Sequence, residues 1–484
     1  MRKNISPWLH QLDTSRASVR LAEDLTTDVT IIGAGIAGIS TAFEILEQTH
    51  QRVVVLESSK LAHGATGHNA GQLIAHFERG LESIAQEYGI EKAVAAQRAI
   101  ESGWDILERI YTTARLDIPY FSFIGHTGLT SKGQVLMRLE NNRVRVAGGL
   151  TPEALRIADT SAFVHTLDAK YQGLYSIVPL HEVQEALETE RTDFIAVLSY
   201  RKGCLNSALF CQEVLRYLEQ KYPDRFSLYE HTPAHKLVLR NHSALIDAGE
   251  HVVKTSRVVL CTNGFENIRI FSENGLDIDA KYHHLVSGTQ GFMSGYLEQR
   301  NKEPIAISYF TDPSTDPENS YYYLTRRPYE YEKGKEHNLI CIGGPDIPLE
   351  ESLPYSRDLE YPDEYASMID QFVKSTYDLD PNKKIEYQFT WHGLMGYTRS
   401  GIRMVGPEPK NPVLLYNLGC NGIGILPALY GATKIVRHLS GEDVEISLFD
   451  VPACGQAFRR ARRFSHTSSV HGVSDSFDSR ELRV

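Results

Sequence analysis

Residues 28–57 read DVTIIGAGIAGISTAFEILEQTHQRVVVLE. Val29 to Ile32 is a run of β-branched residues, the pattern of a buried strand. It runs into Gly33, Gly35 and Gly38, a G-x-G-x-x-G spacing. Gly33 allows a tight turn, Gly35 removes a side chain that would collide with a pyrophosphate, and Gly38 lets the next helix pack on the sheet. That helix, opening at Ile36 and Ala37, offers free N–H groups and the positive end of its dipole to a diphosphate. Arg52 to Leu56 is a second strand, ended by Glu57 and followed by Ser58. An acid there accepts hydrogen bonds from the ribose hydroxyls and repels a 2′-phosphate, which disfavours NADP. Strand, turn, helix, strand and acid together define a dinucleotide-binding unit.

The rest of the chain bounds what surrounds this unit. With 484 residues, two intimately packed domains are expected. An apolar fraction of 42% and a charged fraction of 23% are those of an ordinary globular protein. The formal net charge of -11 argues against nucleic acid as a main partner. Cys204, Cys211, Cys261, Cys341, Cys420 and Cys454 are scattered with no C-x-x-C pair, which reads as reduced thiols in a cytoplasmic protein. No Cys or His spacing suggests a metal site. No stretch reaches the apolar length of a membrane span, and the N-terminal residues lack a signal-peptide run.

Residues 1–25 read as a polar arm with Pro7 and Trp8 as anchors. Gly80 to Tyr111 reads as helical, with Ile100, Trp104, Leu107 and Tyr111 on one face. Thr151 and Pro152 have the residue types of a helix start. A second amphipathic helix carries Cys211, Val214, Leu215 and Leu218, and short strands follow at SLYEHT, HKLVL, SALIDA, HVVKT and RVVLCTN. Residues 456–484, basic and then rich in Ser and His, read as a disordered tail.

The segment after Glu57, SSKLAHGATGHNAGQLIAHFERG, holds a second Gly-rich loop that an NAD site does not call for. This resembles the D-amino acid oxidase-like superfamily of FAD-dependent oxidoreductases, which includes glycine oxidase, sarcosine oxidase, dimethylglycine dehydrogenase and gamma-glutamylputrescine oxidase. In that family a comparable loop lies along the pyrophosphate and flavin. Gly64, Ala65, Thr66, Gly67, Asn69 and Gly71 fill the pattern, with His68 and Ala70 between them and Gln72-Leu73 extending it. Further matches follow in the family's order. They are Gly203 to Asn206 opening a helix, Ala234 in Thr232-Pro233-Ala234 near the adenine, and Thr262-Asn263-Gly264 ending a strand. Trp391-His392-Gly393, Gly401 to Gly406, and a final loop with Gly422, Ile423 and Gly424 complete them. Ser400 and Arg403-Met404 depart from the family's usual residues.

The resemblance implies a fold, a cofactor and a reaction. The fold is α/β: a Rossmann-type doubly wound FAD-binding domain, from residues 26–110, 200–282 and 395–450, interleaved with a largely antiparallel α+β substrate domain from 111–199 and 283–394. The cofactor is FAD. The reaction is oxidation of a C–N bond of a small amine by hydride transfer to flavin, with oxygen or a redox partner as electron acceptor. No side chain need act as acid or base if the amine arrives neutral, so no catalytic residue is assigned. Family members that oxidise amino acids often carry an arginine just after W-x-G-L to clamp the carboxylate. Met395 holds that register here and cannot pair with a carboxylate, which disfavours a free α-amino acid. Tyr321 and Tyr323, or else Tyr322, would face the flavin from a strand. His68 stands in the register of the histidine that dimethylglycine dehydrogenase-like members bond covalently to flavin, whereas the gamma-glutamylputrescine oxidase-like loop has no such bond. The alternatives are an amino acid or N-methyl amino acid oxidase on the same fold, a flavin monooxygenase, and a non-catalytic FAD-binding protein.

Overall fold

The computed structural model describes residues 3–264, 267–311, 321–349 and 355–452. Two large sheets organise the chain. The first is built on Leu25–Ile32, flanked in parallel by Val53–Leu56 and Val252–Leu260. Phe226–Tyr229 adds in parallel outside Val53–Leu56. On the other side, Val252–Leu260 pairs with two different strands along its length. Ala244–Asp247 runs antiparallel to its first half, and Asn411–Leu418 runs parallel to its last residues.

Side-chain alternation explains why VVVL tolerates no polar residue. Val29, Ile31, Val53 and Val55 face a core shared with the helices Ile36–Gln48, Ser207–Lys221 and Ile425–Leu439. Ile32, Val54 and Leu56 face a second core formed with Leu237, Ile246 and Val258. A strand buried on both faces reads as a continuous apolar run.

The second sheet runs, in order, Tyr387–Thr398, Val286–Gln299, Lys335–Pro348, Tyr321–Glu332, Ile305–Phe310, Tyr120–Leu129, Ala196–Leu205, Ala154–Ala158 and Ser176–Val178. Pairing is antiparallel except for Ile305–Phe310 with Tyr120–Leu129 and Ala154–Ala158 with Ser176–Val178. Helix Asp363–Thr376 covers its outer face, where Phe372 stacks on Tyr322 at 3.9 Å between ring centroids. The fold is therefore the mixed α/β arrangement expected.

Some local readings need correction. Thr151 and Pro152 cap no helix. The helix there is Lys132–Ala147, started by a capping box in which Ser131 and Gln134 satisfy each other's backbone N–H. Asn142 then binds both backbone polar groups of Glu153, which fixes residues 151–153 as a return segment beside the helix. Gly80 to Tyr111 is three helices, Leu81–Tyr88, Ile90–Glu101 and Gly103–Ala114, parted at Gly89 (φ 89°) and Ser102. HVVKT and RVVLCTN form one strand, Val252–Leu260. Strand Ala196–Leu205 stays in the second sheet past the expected boundary at residue 200, and Gln72–Ile74 also pairs there. The tail from residue 456, and Cys454, lie outside the described residues.

The N-terminal arm reaches across to the second sheet. Trp8 is fully buried beside Trp391, with Tyr329 donating to the Pro7 carbonyl at 2.9 Å. Among the described residues, no helix is long and apolar enough to cross a membrane.

Candidate functional site

One continuous cavity of about 760 Å³ lies between the sheets. Its nucleotide end is the sequence motif in three dimensions. Gly33 turns with φ +103°, and a Cβ there would stand 2.8 Å from the Cys261 carbonyl oxygen. Gly38 presses its Cα against the Gly33 carbonyl, where a methyl group would overlap it. It therefore packs the turn and does not line the cavity, unlike Gly33, Gly35, Ile36 and Ala37. The Glu57 carboxylate is held at the strand end by backbone N–H groups of Ala34 (2.9 Å) and Ser59 (2.8 Å), next to Ser58 and Ala234.

The second Gly-rich loop forms the floor. Thr66 Oγ1 accepts from Ile36 N at 2.9 Å, tying the loop to the helix start. Asn69 folds the loop on itself: its Oδ1 accepts from Gly71 N (2.8 Å) and its Nδ2 donates to Ser207 Oγ (2.8 Å). Its carbonyl accepts from the indole N–H groups of Trp8 (2.6 Å) and Trp391 (3.2 Å). Gly64, Ala65, Thr66, His68, Asn69, Ala70 and Gly71 all border the cavity. His68 Nδ1 lies 3.0 Å from the Gly64 carbonyl. A carbonyl only accepts, so Nδ1 carries the proton and Nε2 the lone pair. Burial lowers the His68 pKa to about 4, which makes the ring neutral at pH 7.

At the middle, Thr262 and Asn263 line the wall, whereas Gly264 packs on Val286. Gly422, Ile423 and Gly424 lead into helix Ile425–Leu439. Arg403, a departure from the family pattern, is buried against the cavity and clamped by Asn417 Oδ1 (2.6 Å) and O (2.8 Å). Burial brings its pKa down to about 10, which still leaves it charged. Met404 fills the core behind it, and Ser400 Oγ accepts from Ile402 N at 3.2 Å within a turn.

The far end lies under the second sheet. Gly393, Leu394, Met395 and Tyr397 border the cavity from one strand. Side chains on Gly393 or Gly396 would overlap His68 and Asn263, so the strand can approach the loop only with glycine there. Tyr321 and Tyr323 point into the cavity while Tyr322 turns away to Phe372. Gly343 opposite leaves room for the Tyr323 ring: a Cβ there would lie 2.5 Å from its Cζ.

Several groups here were not signalled by any sequence pattern. Glu78 lines the cavity and accepts from Tyr397 Oη at 2.9 and 3.1 Å. Burial pushes its pKa up to about 8, helped by Asp346. His76 is backed by Glu153, with Nε2 to Oε1 at 2.6 Å. Burial would raise the Glu153 pKa, but His76 and the arginines Arg145 and Arg138 outweigh it and hold it at about 2. Arg138 enters from helix Lys132–Ala147. Each is a lone polar residue in a loop or helix, with no spacing to mark it.

The residues present fit FAD. The cavity joins a diphosphate-type glycine turn and a carboxylate at one end to an aromatic chamber at the other. Thr262 Oγ1 is buried on its wall with no hydrogen-bond partner. An unsatisfied buried hydroxyl at a concave site is what a missing polar ligand leaves behind.

A βαβ dinucleotide unit opening into a chamber beneath an antiparallel sheet defines a flavoprotein oxidoreductase. Residues 28–437 match the model of the DAO family, FAD dependent oxidoreductase, and the chain belongs to that family. Over 91 residues it is 38% identical to gamma-glutamylputrescine oxidoreductase of Escherichia coli (strain K12), covering 19% of this chain and 21% of that protein. It is 41% identical over 66 residues to a probable oxidoreductase, OrdL, of Haemophilus influenzae, covering 14% of this chain and 15% of that protein. The chain thus spans only about a fifth of the length of the curated relatives it matches. Among solved structures it resembles glycine oxidase from Geobacillus kaustophilus, with a TM-score of 0.62 at 14% identity, covering 88% of this chain and 98% of that one. It also resembles L-alpha-glycerophosphate oxidase from Mycoplasma pneumoniae with FAD bound, with a TM-score of 0.60 at 13% identity, covering 88% and 97%. At these identities the structures share the fold.

Proposed function

We propose that this enzyme oxidises the C–N bond of a small amine. The observation that carries the reading is the buried acid of the chamber beside the Gly422 loop. Glu78 and Asp346 line it, and Met395 stands where a carboxylate-clamping arginine would be needed for an α-amino acid. With a pKa of about 8, Glu78 becomes a base for an ammonium once it ionises as pH rises through that value. Gly33, Gly35, Glu57, the 64–71 loop and Gly422 to Gly424 would hold FAD, with Ala234 and Thr262-Asn263 beside it.

When bound, FAD supplies a two-electron acceptor for the hydride that leaves the substrate carbon. The rest falls to the protein. An ammonium has no nitrogen lone pair to assist hydride loss, so it must first give up a proton. The Glu78 carboxylate accepts that proton, and loss of a hydride from carbon then leaves the protonated imine. An alkylammonium pKa of roughly 10.4 and a Glu78 pKa of about 8 make the transfer uphill by roughly 3 kcal/mol before desolvation of the ammonium narrows the gap. Tyr397 Oη orients the carboxylate, and Tyr321 and Tyr323 wall off water.

The test is anaerobic mixing of the yellow holoenzyme with a panel of primary and secondary amines, glycine, sarcosine and D-amino acids. Bleaching of the flavin by amines, with slow or no bleaching by α-amino acids, is the expected outcome. Rapid bleaching by simple α-amino acids, or by none of the panel, overturns the reading.

A further inference from the structure

Arg403 is a buried cation on the cavity wall, and its partners are all neutral. Its Nε donates to Asn417 Oδ1 (2.6 Å), Nη2 to the Asn417 carbonyl (2.8 Å) and Nη1 to the Gly419 carbonyl (3.5 Å). Among the described residues no carboxylate pairs with it. The titratable groups that act on its charge are the thiols of Cys261 and Cys420, and neither Glu78 nor Asp346 is among them. An unpaired charge is costly to bury unless an anion joins it. The bonds to Asn417 and Gly419 leave guanidinium N–H donors over for a group in the cavity.

The segment that holds Arg403 is fastened to the chamber strand. Asn421 N donates to the Gly396 carbonyl (2.8 Å), Thr398 N to Asn421 Oδ1 (2.8 Å) and Gly396 N to Cys420 Sγ (3.3 Å). Met395 and Tyr397, on either side of Gly396, border the chamber. The same segment leads into helix Ile425–Leu439, whose first N–H groups carry the positive end of its dipole. Arg403 and this helix start together put positive charge on the chamber side of the cavity. The diphosphate already has a helix start of its own, that of Ile36–Gln48 beside the Gly33 turn. The negative charge left for the second positive end is the one that the flavin ring gains. A hydride is two electrons and one proton, so a ring that accepts it becomes more negative by one charge.

We propose that Arg403 is the counter-ion of the reduced flavin, stabilising the anion that hydride transfer leaves on the ring and so raising the reduction potential of the bound FAD. The stabilisation is preorganised, because Asn417 and Gly419 hold the guanidinium before the charge arrives. It is the same whichever substrate delivers the hydride, and so stands apart from the amine reading.

The reduction potential of the holoenzyme, measured against a reference dye during slow anaerobic reduction without substrate, reads this directly. Arg403→Gln should shift the two-electron equilibrium towards oxidised flavin by about tenfold or more, a potential about 30 mV more negative. Arg403→Lys keeps the charge on a flexible stem and should recover part of the shift. The affinity for oxidised FAD, followed by the release of flavin fluorescence on dilution, separates the other source of negative charge. A diphosphate has the same charge in both oxidation states. Weaker FAD binding by Arg403→Gln at an unchanged potential would therefore place Arg403 on the diphosphate and overturn the assignment, as would no change in either quantity. Should Arg403→Gln fail to retain flavin, the wild-type potential carries the test. An anionic product takes up one proton with two electrons, so between about pH 5.5 and 6.5 the equilibrium should move tenfold per pH unit, about 30 mV. A slope of about 59 mV per unit means that two protons are taken up and the reduced ring is neutral, which overturns the proposal.

Discussion

Replacing Glu78 with Gln tests the centre of the proposed chemistry through two independent observables. In the folded protein its pKa rises from about 4.5 to about 8, through burial first and the nearby Asp346 second, against the opposing hydrogen bond from Tyr397. The unfolded chain releases this proton near pH 4.5 and the folded chain near pH 8. Between those values the native state holds one more proton than the unfolded state, so stability falls as pH rises. The cost is complete above pH 8 and amounts to roughly 5 kcal/mol, from 1.36 kcal/mol per unit. Gln carries no charge to desolvate. Glu78→Gln should therefore melt higher than wild type at pH 8.5 and close to it at pH 5. Its catalysis should move the other way. If ionised Glu78 takes the ammonium proton, wild-type kcat/KM for a primary amine rises as pH rises through about 8. The variant should lose that limb and fall about 10²- to 10⁴-fold, the usual contribution of a positioned base. Stopped-flow bleaching of the flavin under anaerobic conditions measures the rate, and differential scanning calorimetry the melting point. A variant that keeps the wild-type rate and pH limb would refute the role of Glu78. A variant less stable than wild type at pH 8.5 would refute the electrostatic argument beneath it.

Three further outcomes follow from the geometry around the loop. Acid precipitation should release the flavin into the supernatant: the His68 imidazole is fixed by its bond to the Gly64 carbonyl, and a pellet that stays yellow would instead show attachment. Gly38→Ala forces a methyl group onto the Gly33 carbonyl; it should cost about 1–3 kcal/mol and lower the flavin content of purified protein, measured from the ratio of visible to ultraviolet absorbance. Trp8→Ala removes a fully buried indole and one of two donors to the Asn69 carbonyl. It should cost about 3–5 kcal/mol by chemical denaturation and weaken FAD retention as the 64–71 loop loosens.

The difference between what the sequence discloses and what it hides has a physical origin. Gly33, Gly35, Gly38 and Glu57 are legible because one local unit must satisfy turn geometry, close approach to a ligand and charge all at once, within thirty residues. Tyr321 and Tyr323 are legible only as a choice between two faces, since alternation fixes which residues share a face and not which face is inward. Phe372, from a helix forty residues further on, resolves that choice by stacking on Tyr322. The mistaken helix start at Thr151 has the same cause. Its residue types suit a cap, but the backbone had already been used by a helix begun at Ser131, and Asn142 holds Glu153 in place.

Glu78 and Arg138 mark where local reading must fail. Each is an ordinary charged residue by composition, and a solvated surface position is its default. Glu78 becomes chemically distinct only because Tyr397, more than three hundred residues away, closes over it. Arg138 does so because the strand carrying Phe310 comes beneath its guanidinium and Glu153 is brought near it. A pKa near 8 and a guanidinium set over an aromatic ring are properties of neighbours brought from distant segments, and the sequence order keeps those neighbours apart. The fingerprint that identifies the cofactor is thus local, whereas the polarity that would choose the substrate is made by tertiary structure.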